Sequence, residues 1–156
     1  MEKTLIILKP DALQRGLTGR IITRFEEKGF QVLALRMMQV PRELAERHYA
    51  VHKSKPFYSR LLAYITSSPV VVMVLQANNA IAVARKMMGA TFGSNAEPGT
   101  IRGDFGLSNS FNLIHGSDSP EAAAFEIGLY FKPEELARYD RASEQWVYDL
   151  SGSSPE

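Results

Sequence analysis

Thr4-Leu5-Ile6-Ile7-Leu8-Lys9-Pro10 is the stretch from which the rest of the chain is read. Its apolar run has the character of a strand. Pro10 has no N–H to give a central ladder, so the strand ends before it and leaves Lys9 at its tip. Beyond it, Leu17, Ile21 and Phe25 recur at helical spacing with Ile22 beside them, and Gly29 is placed to stop that helix before a second apolar stretch, Phe30 to Val40. Pro41 and Pro56 each sit where proline fits a first helical turn, and Phe57, Leu61 and Ile65 share a helical face. Ser67-Ser68-Pro69 breaks the chain ahead of Val70 to Leu75, a continuous run with the length and β-branched content of a buried strand. A helix carrying Ile81, Ala84 and Met88 follows, capped by Asn78 or Asn79 and stopped by Gly89.

From Gly89 to Ser110 the composition turns to Gly, Asn, Ser and Thr; a passive loop of that length is uncommon, which points to a functional or a disordered segment. Phe111 to Ile114 reads as the last strand. Ser119-Pro120-Glu121 gives cap, first-turn proline and first-turn acid in the order that opens a helix, which leaves His115 between strand and helix. Pro133-Glu134-Glu135 starts one more helix, and residues 151–156 form a polar, mobile tail. Unequal gaps between strands argue against a regular doubly wound sheet. The expected class is α+β: a sandwich with helices on one face of a mostly antiparallel sheet, folded as one domain over residues 1–150.

With 156 residues, 45% of them hydrophobic and 22% charged, the composition is that of one globular core. No run is long and apolar enough for a bilayer, and the N-terminus lacks the features of a signal peptide, so the expected location is the cytoplasm and no membrane partner is expected. Up to Arg102 there are 15 basic and 7 acidic residues, and beyond it 3 and 10, yet the net charge is only +1. Scattered charges of this kind suggest a fold that brings the halves together rather than a nucleic-acid surface. Cysteine is absent, which removes disulfides, thiolate chemistry and sulfur-ligated zinc, so any covalent chemistry needs another nucleophile.

His48, His52 and His115 are the three histidines. The first two are four apart, as in zinc-binding helices, but Tyr49 stands where that motif has glutamate, so the pair reads as a partly exposed helix face and no protein-held metal is expected. His115 lies in Asn112-Leu113-Ile114-His115-Gly116-Ser117-Asp118. A neutral imidazole is nucleophilic near pH 7, and a phosphate attached there would face a helix N-terminus. Lys9 at its strand end and Arg102 within Pro98-Gly99-Thr100-Ile101-Arg102-Gly103-Asp104 are the cations placed to meet phosphate, Arg102 with a two-pronged grip. Arg85 and Thr91 flank Gly89 and can face the same place. Asp11, Asp104, Asp118 and Glu126 are possible orienting or metal groups. Neither a P-loop, nor a dinucleotide-binding glycine motif, nor the protein-kinase loops occur, so any nucleotide must bind through another architecture.

These stretches, with Lys9-Pro10-Asp11 and Arg15-Gly16, resemble the signature segments of nucleoside diphosphate kinases, and the resemblance runs over nearly the whole chain. It implies a ferredoxin-like βαββαβ sandwich with a four-stranded sheet. It also implies ping-pong transfer of the γ-phosphate of a nucleoside triphosphate, mainly ATP, to a nucleoside diphosphate through a phosphohistidine at His115. Lys9, Tyr49, Arg85, Thr91, Arg102 and Asn112 would contact phosphates or ribose, Phe57 and Leu61 would clamp the base, and Ser117 with Glu126 would steady the histidine. Mg²⁺ would be held mainly by the nucleotide's phosphates. A homo-oligomer, tetramer or hexamer, is implied, although Phe92-Gly93-Ser94-Asn95 departs from the Asn-Pro or Asp-Pro that many members carry in a loop of subunit contacts. Two rivals are a regulatory nucleotide- or RNA-binding module, against which the missing aromatic pattern after Lys28-Gly29-Phe30 and the small net charge weigh, and a phosphohistidine carrier, which would not need Phe57, Leu61 or the long loop. No obligate nucleic-acid partner is expected.

Overall fold

The computed structural model describes residues 1–155, so Glu156 of the expected tail lies outside the described residues. Strand β1 (Glu2–Leu8) pairs with β3 (Val70–Ala77) on one side and β4 (Ile114–Gly116) on the other, and β2 (Gln31–Met38) adds to the far edge of β3. All three pairings are antiparallel, in the order β2-β3-β1-β4, with Ile7 opposite Val72 and His115. Between them run α1 (Pro10–Gln14), α2 (Thr18–Lys28), α3 (Arg42–His48), α4 (Tyr58–Ile65), α5 (Ala80–Met88) and α6 (Ile101–Phe105), followed by α7 (Pro120–Tyr130) and α8 (Glu144–Val147). This is the ferredoxin-like βαββαβ sandwich.

Helices cover both faces of the sheet, not one. Ile6, Leu8, Met73 and Leu75 point toward Ile21 and Phe25 of α2 and Ala84 and Met88 of α5. Their neighbours Leu5, Ile7, Val72 and Val74 point the opposite way, toward Ala45 of α3, Leu62 and Ile65 of α4 and Tyr130 of α7. The reason lies in β1 and β3 themselves: side chains alternate along a strand, so an unbroken apolar run is apolar on both faces and needs two covers.

Gly29 stops α2 with φ 101°, as its position predicts. Asn79 does occupy the residue before α5, but its side chain caps nothing; the carboxylate of Glu2 accepts from Ile81 N at 2.8 Å instead. The long glycine-rich segment is partly ordered, holding a short 3₁₀ turn at Gly93–Asn95 and α6. Pro133–Glu135 forms a 3₁₀ turn rather than an α-helix. In the tail, Pro155 O accepts a hydrogen bond from Asn78 Nδ2.

The last strand lies later than expected, at Ile114–Gly116, so His115 is inside it. Lys9 N still donates to Leu113 O at 2.8 Å, but the regular pairing stops there because side chains claim the other backbone groups of residues 112 and 113. Arg102 Nε donates to Asn112 O at 3.0 Å, Asp11 Oδ2 accepts from Leu113 N at 3.1 Å, and Leu113 turns to φ 71°. The opposite charges of the two halves do meet, in the ion pairs Arg24–Asp104 and Arg36–Glu135.

Candidate active site

Pairing of β4 with β1 carries the His115 side chain to the face where α3 and α7 pack. Its Nε2 lies 3.0 and 3.1 Å from the two oxygens of Glu126, about two turns into α7, so the ring meets the side of that helix rather than its N-terminus. Ser119 caps α7 by accepting from Ala122 N at 3.0 Å, which sets where the helix begins and so where Glu126 falls. Ser117 Oγ accepts from Leu5 N and donates to Glu126 Oε2 at 2.6 Å, tying the carboxylate to the sheet. Burial alone would push the Glu126 carboxyl up, but contacts from His115, His48 and Ser117 outweigh it and hold the acid below the usual range, ionised. Burial is also the main influence on His115; with help from His48 and Lys9, and against the pull of Glu126, it lowers the imidazole to about 4. The ring is therefore neutral at physiological pH. Its side chain keeps 19% of its surface exposed, so it is open to a ligand.

Lys9 and Arg102 stand beside the same strand. Lys9 is 7% exposed, donates to Asn112 Oδ1 at 2.7 Å and lies over the Tyr64 ring. Burial, then the charge of Arg102, brings it down to about 7, Asp11 opposing. Arg102, 4% exposed, opens α6 and spends three donors on main-chain carbonyls: Asn112 at 3.0 Å, Gly89 at 3.1 Å and Ile114 at 2.6 Å. Burial and neighbouring Arg85 lower it to about 10, so it stays charged. Arg85 is exposed on α5 and reaches Gly116 O at 3.3 Å. Thr91, also exposed, accepts at its carbonyl from Asn112 Nδ2 at 3.0 Å. Gly103 is required beneath this bracing, since a Cβ there would sit 1.8 Å from Glu97 O.

Tyr49 packs edge-on to His115 with ring centroids 6.4 Å apart, and its buried hydroxyl has no partner among the described residues. Phe57 and Leu61 stand further off. Phe57 is 42% exposed and touches the His52 ring, while Leu61 is half-buried against the core. Of the sequence candidates, then, His115, Ser117, Glu126, Tyr49, Lys9, Arg85, Thr91, Arg102 and Asn112 form one connected group, and Phe57, against the His52 ring, and Leu61, against the core, sit at its margin.

The structure departs from the sequence reading at His48, gives Asp11 the orienting role open to it, and adds Tyr64. His48 is not on an exposed face: it is 6% exposed, its ring centroid lies 4.6 Å from that of His115, and Nδ1 meets the Tyr130 hydroxyl at 2.8 Å. Ala45, His48 and Tyr49 share one buried helix face, and that spacing was the available signal. Asp11 turns out to orient the strand, binding Leu113 N and the Tyr64 hydroxyl. Tyr64 itself gave no sign, since its partners come from distant segments. A surface groove of about 510 Å³ lined by Gly16, Arg20, Arg24 and Phe105 lies apart from this group, and both arginines already stack on Phe105.

A ferredoxin-like sandwich that turns a neutral imidazole and fixed cations toward one open edge, without a P-loop, has the make-up of a phosphotransferase with its own way of holding nucleotide. Comparison with known proteins agrees. The profile of the family described as nucleoside diphosphate kinase matches residues 2–136. Curated nucleoside diphosphate kinases of Thermomicrobium roseum and Microcystis aeruginosa are 56% and 57% identical over 147 and 149 residues, covering 94% and 96% of this chain and 99% and 100% of theirs. The solved structure of a halophilic nucleoside diphosphate kinase from Halobacterium salinarum, in complex with CDP, superposes with a TM-score of 0.93 at 46% identity, covering 95% of this chain and 99% of that one. The chain belongs to the nucleoside diphosphate kinase family, whose members are phosphotransferases acting on nucleotides. No helix among the described residues is long and apolar enough to cross a membrane.

Proposed function

We propose that this chain moves the γ-phosphate of a nucleoside triphosphate, mainly ATP, to a nucleoside diphosphate in two half-reactions joined by a phosphohistidine at His115. The observation that carries this reading is the Nε2 contact with ionised Glu126: it fixes the tautomer with hydrogen on Nε2 and leaves the lone pair on Nδ1. In the first half-reaction Nδ1 attacks the γ-phosphorus, the bond to the β–γ bridging oxygen breaks, and the diphosphate leaves. Positive charge developing on the ring is balanced by Glu126. In the second, an oxygen of another diphosphate attacks the phosphorus and the nitrogen leaves. Such transfer is mainly positioning and charge neutralisation, which suits Lys9, Arg85 and Arg102, with Tyr49, Thr91 and Asn112 binding phosphate or ribose. Phe57 and Leu61 clamp the base, and an aromatic face accepts any base.

Mg²⁺ is expected on the nucleotide. Asp11, Asp104 and Glu126 are engaged by Tyr64, Arg24 and His115, which leaves exposed Asp118 as the one of the four acids with no side-chain partner among the described residues. A hard cation needing about six oxygens fits that scarcity only if phosphates and water supply most of them. When bound, the ion spreads the negative charge of the phosphates.

Residues 1–150 are read as a single catalytic domain, working in the cytoplasm as a homo-oligomer, tetramer or hexamer, with no obligate nucleic acid. The diphosphate named for the Halobacterium relative, CDP, should bind here too. Incubation with γ-labelled ATP followed by GDP is the test. An acid-labile phosphoprotein that passes its label to GDP supports the proposal. Label that GDP cannot remove would indicate a carrier, and a chain that never labels would indicate a binding module.

A further inference from the structure

His48 takes no part in the transfer just described, yet its Nε2 is buried among the site residues with no hydrogen-bond partner in the described structure. A buried polar atom left unpaired is unfavourable and calls for a reason. The atom stands 3.4 Å from Glu126 Oε1 but off the line of a hydrogen bond, while His115 Nε2 stands 3.0 Å from Oε2 of the same carboxylate. One donor atom from each of His48, His115 and Glu126 can be chosen so that all lie within 4.8 Å of one another. Donors around a tetrahedral zinc ion, with bonds of about 2.0–2.1 Å, are about 3.3 Å apart, so small rotations of these side chains would close the shell.

We propose that His48, His115 and Glu126 form a site for a zinc-class transition-metal ion, and that its occupancy silences the histidine. Two imidazoles and a carboxylate are the donor set of an open three-ligand zinc site, and imidazole nitrogen is a poor choice for Mg²⁺. The surroundings support it. With the Tyr130 hydroxyl accepting from His48 Nδ1–H, the tautomer this site requires, the Nε2 lone pair is left for the metal, and Ser117 Oγ holds the carboxylate. Silencing follows from proton bookkeeping and rests on the reading of Nδ1 as phosphate acceptor: the metal takes the Nε2 lone pair, the proton leaves Nε2, and Nδ1 receives one through water. No lone pair is then left to attack phosphorus.

The test uses the full chain, stripped of metal and free of nucleotide. Titration with Co²⁺ should give the strong visible absorption of a four- or five-coordinate ion, saturating at one per chain and displaced by Zn²⁺. H48Q should lose affinity by about 100-fold or more and Y130F by about tenfold, since outer partners alone cost about 10–100-fold. In the unaltered protein, ¹⁵N imidazole spectra should show Zn²⁺ shifting Nε2 of both His48 and His115, a reading that does not depend on a variant folding. Zinc-loaded protein, cleared of free metal, should label from Mg·ATP at least about tenfold more slowly until a chelator is added. Shifts confined to His52, a weak octahedral cobalt spectrum, or undiminished affinity in H48Q would overturn the site. Metal binding as expected in a chain that, freed of zinc, is never labelled by Mg·ATP would instead overturn the assigned function and leave the metal site standing.

Discussion

His115 and Lys9 are both pushed by burial toward their neutral forms, and each shift has a measurable consequence. For the imidazole, protonation removes the nucleophile, so lowering its value from 6.5 to about 4 extends reactivity into acid. We expect the rate of His115 labelling from ATP, followed by rapid quench, to hold down to about pH 5 and to decline only toward pH 4; a midpoint near that of free imidazole would contradict the burial argument. The same shift links to stability. Between the two values the unfolded chain carries a proton that the folded chain lacks, so stability falls as pH drops through this window, by at most about 3 kcal/mol. His115→Asn, which abolishes labelling, should flatten that part of the unfolding profile relative to wild type. Lys9 gives the complementary prediction. Held at about 7, it is largely neutral at about pH 8, and a phosphate placed beside it restores its charge. Nucleotide binding there should take up close to one proton, seen as a dependence of calorimetric heat on buffer ionisation, and Lys9→Arg should remove the uptake because arginine stays charged.

Strand β4 has only three residues, and side chains from other elements hold the segment that leads into it. Arg102 from α6 grips carbonyls on both sides of Leu113, and Asp11 from α1 takes its N–H. Arg102 is thus a structural brace, beside the phosphate contact proposed for it. Its replacement by alanine strands buried carbonyls and should cost about 2–4 kcal/mol in denaturant unfolding, beyond a loss of about 10²–10³ in transfer rate. A variant with wild-type stability but lowered rate would show that the bracing carries no energy. This bracing also explains what the sequence conveyed and what it did not. Helix α7 was legible from Ser119-Pro120-Glu121 because capping is local, and β1 and β3 were legible from unbroken apolar runs. The boundaries of β4 were not, since its register depends on contacts from residues about ten positions before it in one case and about a hundred in the other. The group around His115 could be assembled from motif resemblance, but the closeness of His48 could not, because α3 meets α7 only in the folded chain.

At the scale of the whole molecule, the sheet ends in two edge strands, β2 and β4, and the β2 edge carries exposed apolar side chains. Leu35 and Met37 are 51% and 65% exposed there, two apart and so on the same side of a strand whose outer edge is unpaired. An open edge with apolar side chains is a template for another chain unless something covers it. If the chain is a homo-oligomer as proposed, a second copy laid against β2 is the simplest cover, with the edges meeting about a two-fold axis. Ion pairing argues the same way, since Arg36, between the two apolar residues, is already held by Glu135 and Tyr130 O and does not project a free charge that would repel a neighbour. We therefore expect the wild-type chain to scatter light as a multimer of its 17.4 kDa mass. Leu35→Asp combined with Met37→Asp should bring that mass toward the monomer while far-UV circular dichroism stays unchanged, because neither side chain belongs to the core. A double variant that keeps the full multimeric mass would move the principal interface elsewhere, and a wild-type chain that scatters as a monomer would remove the oligomer from the proposal altogether.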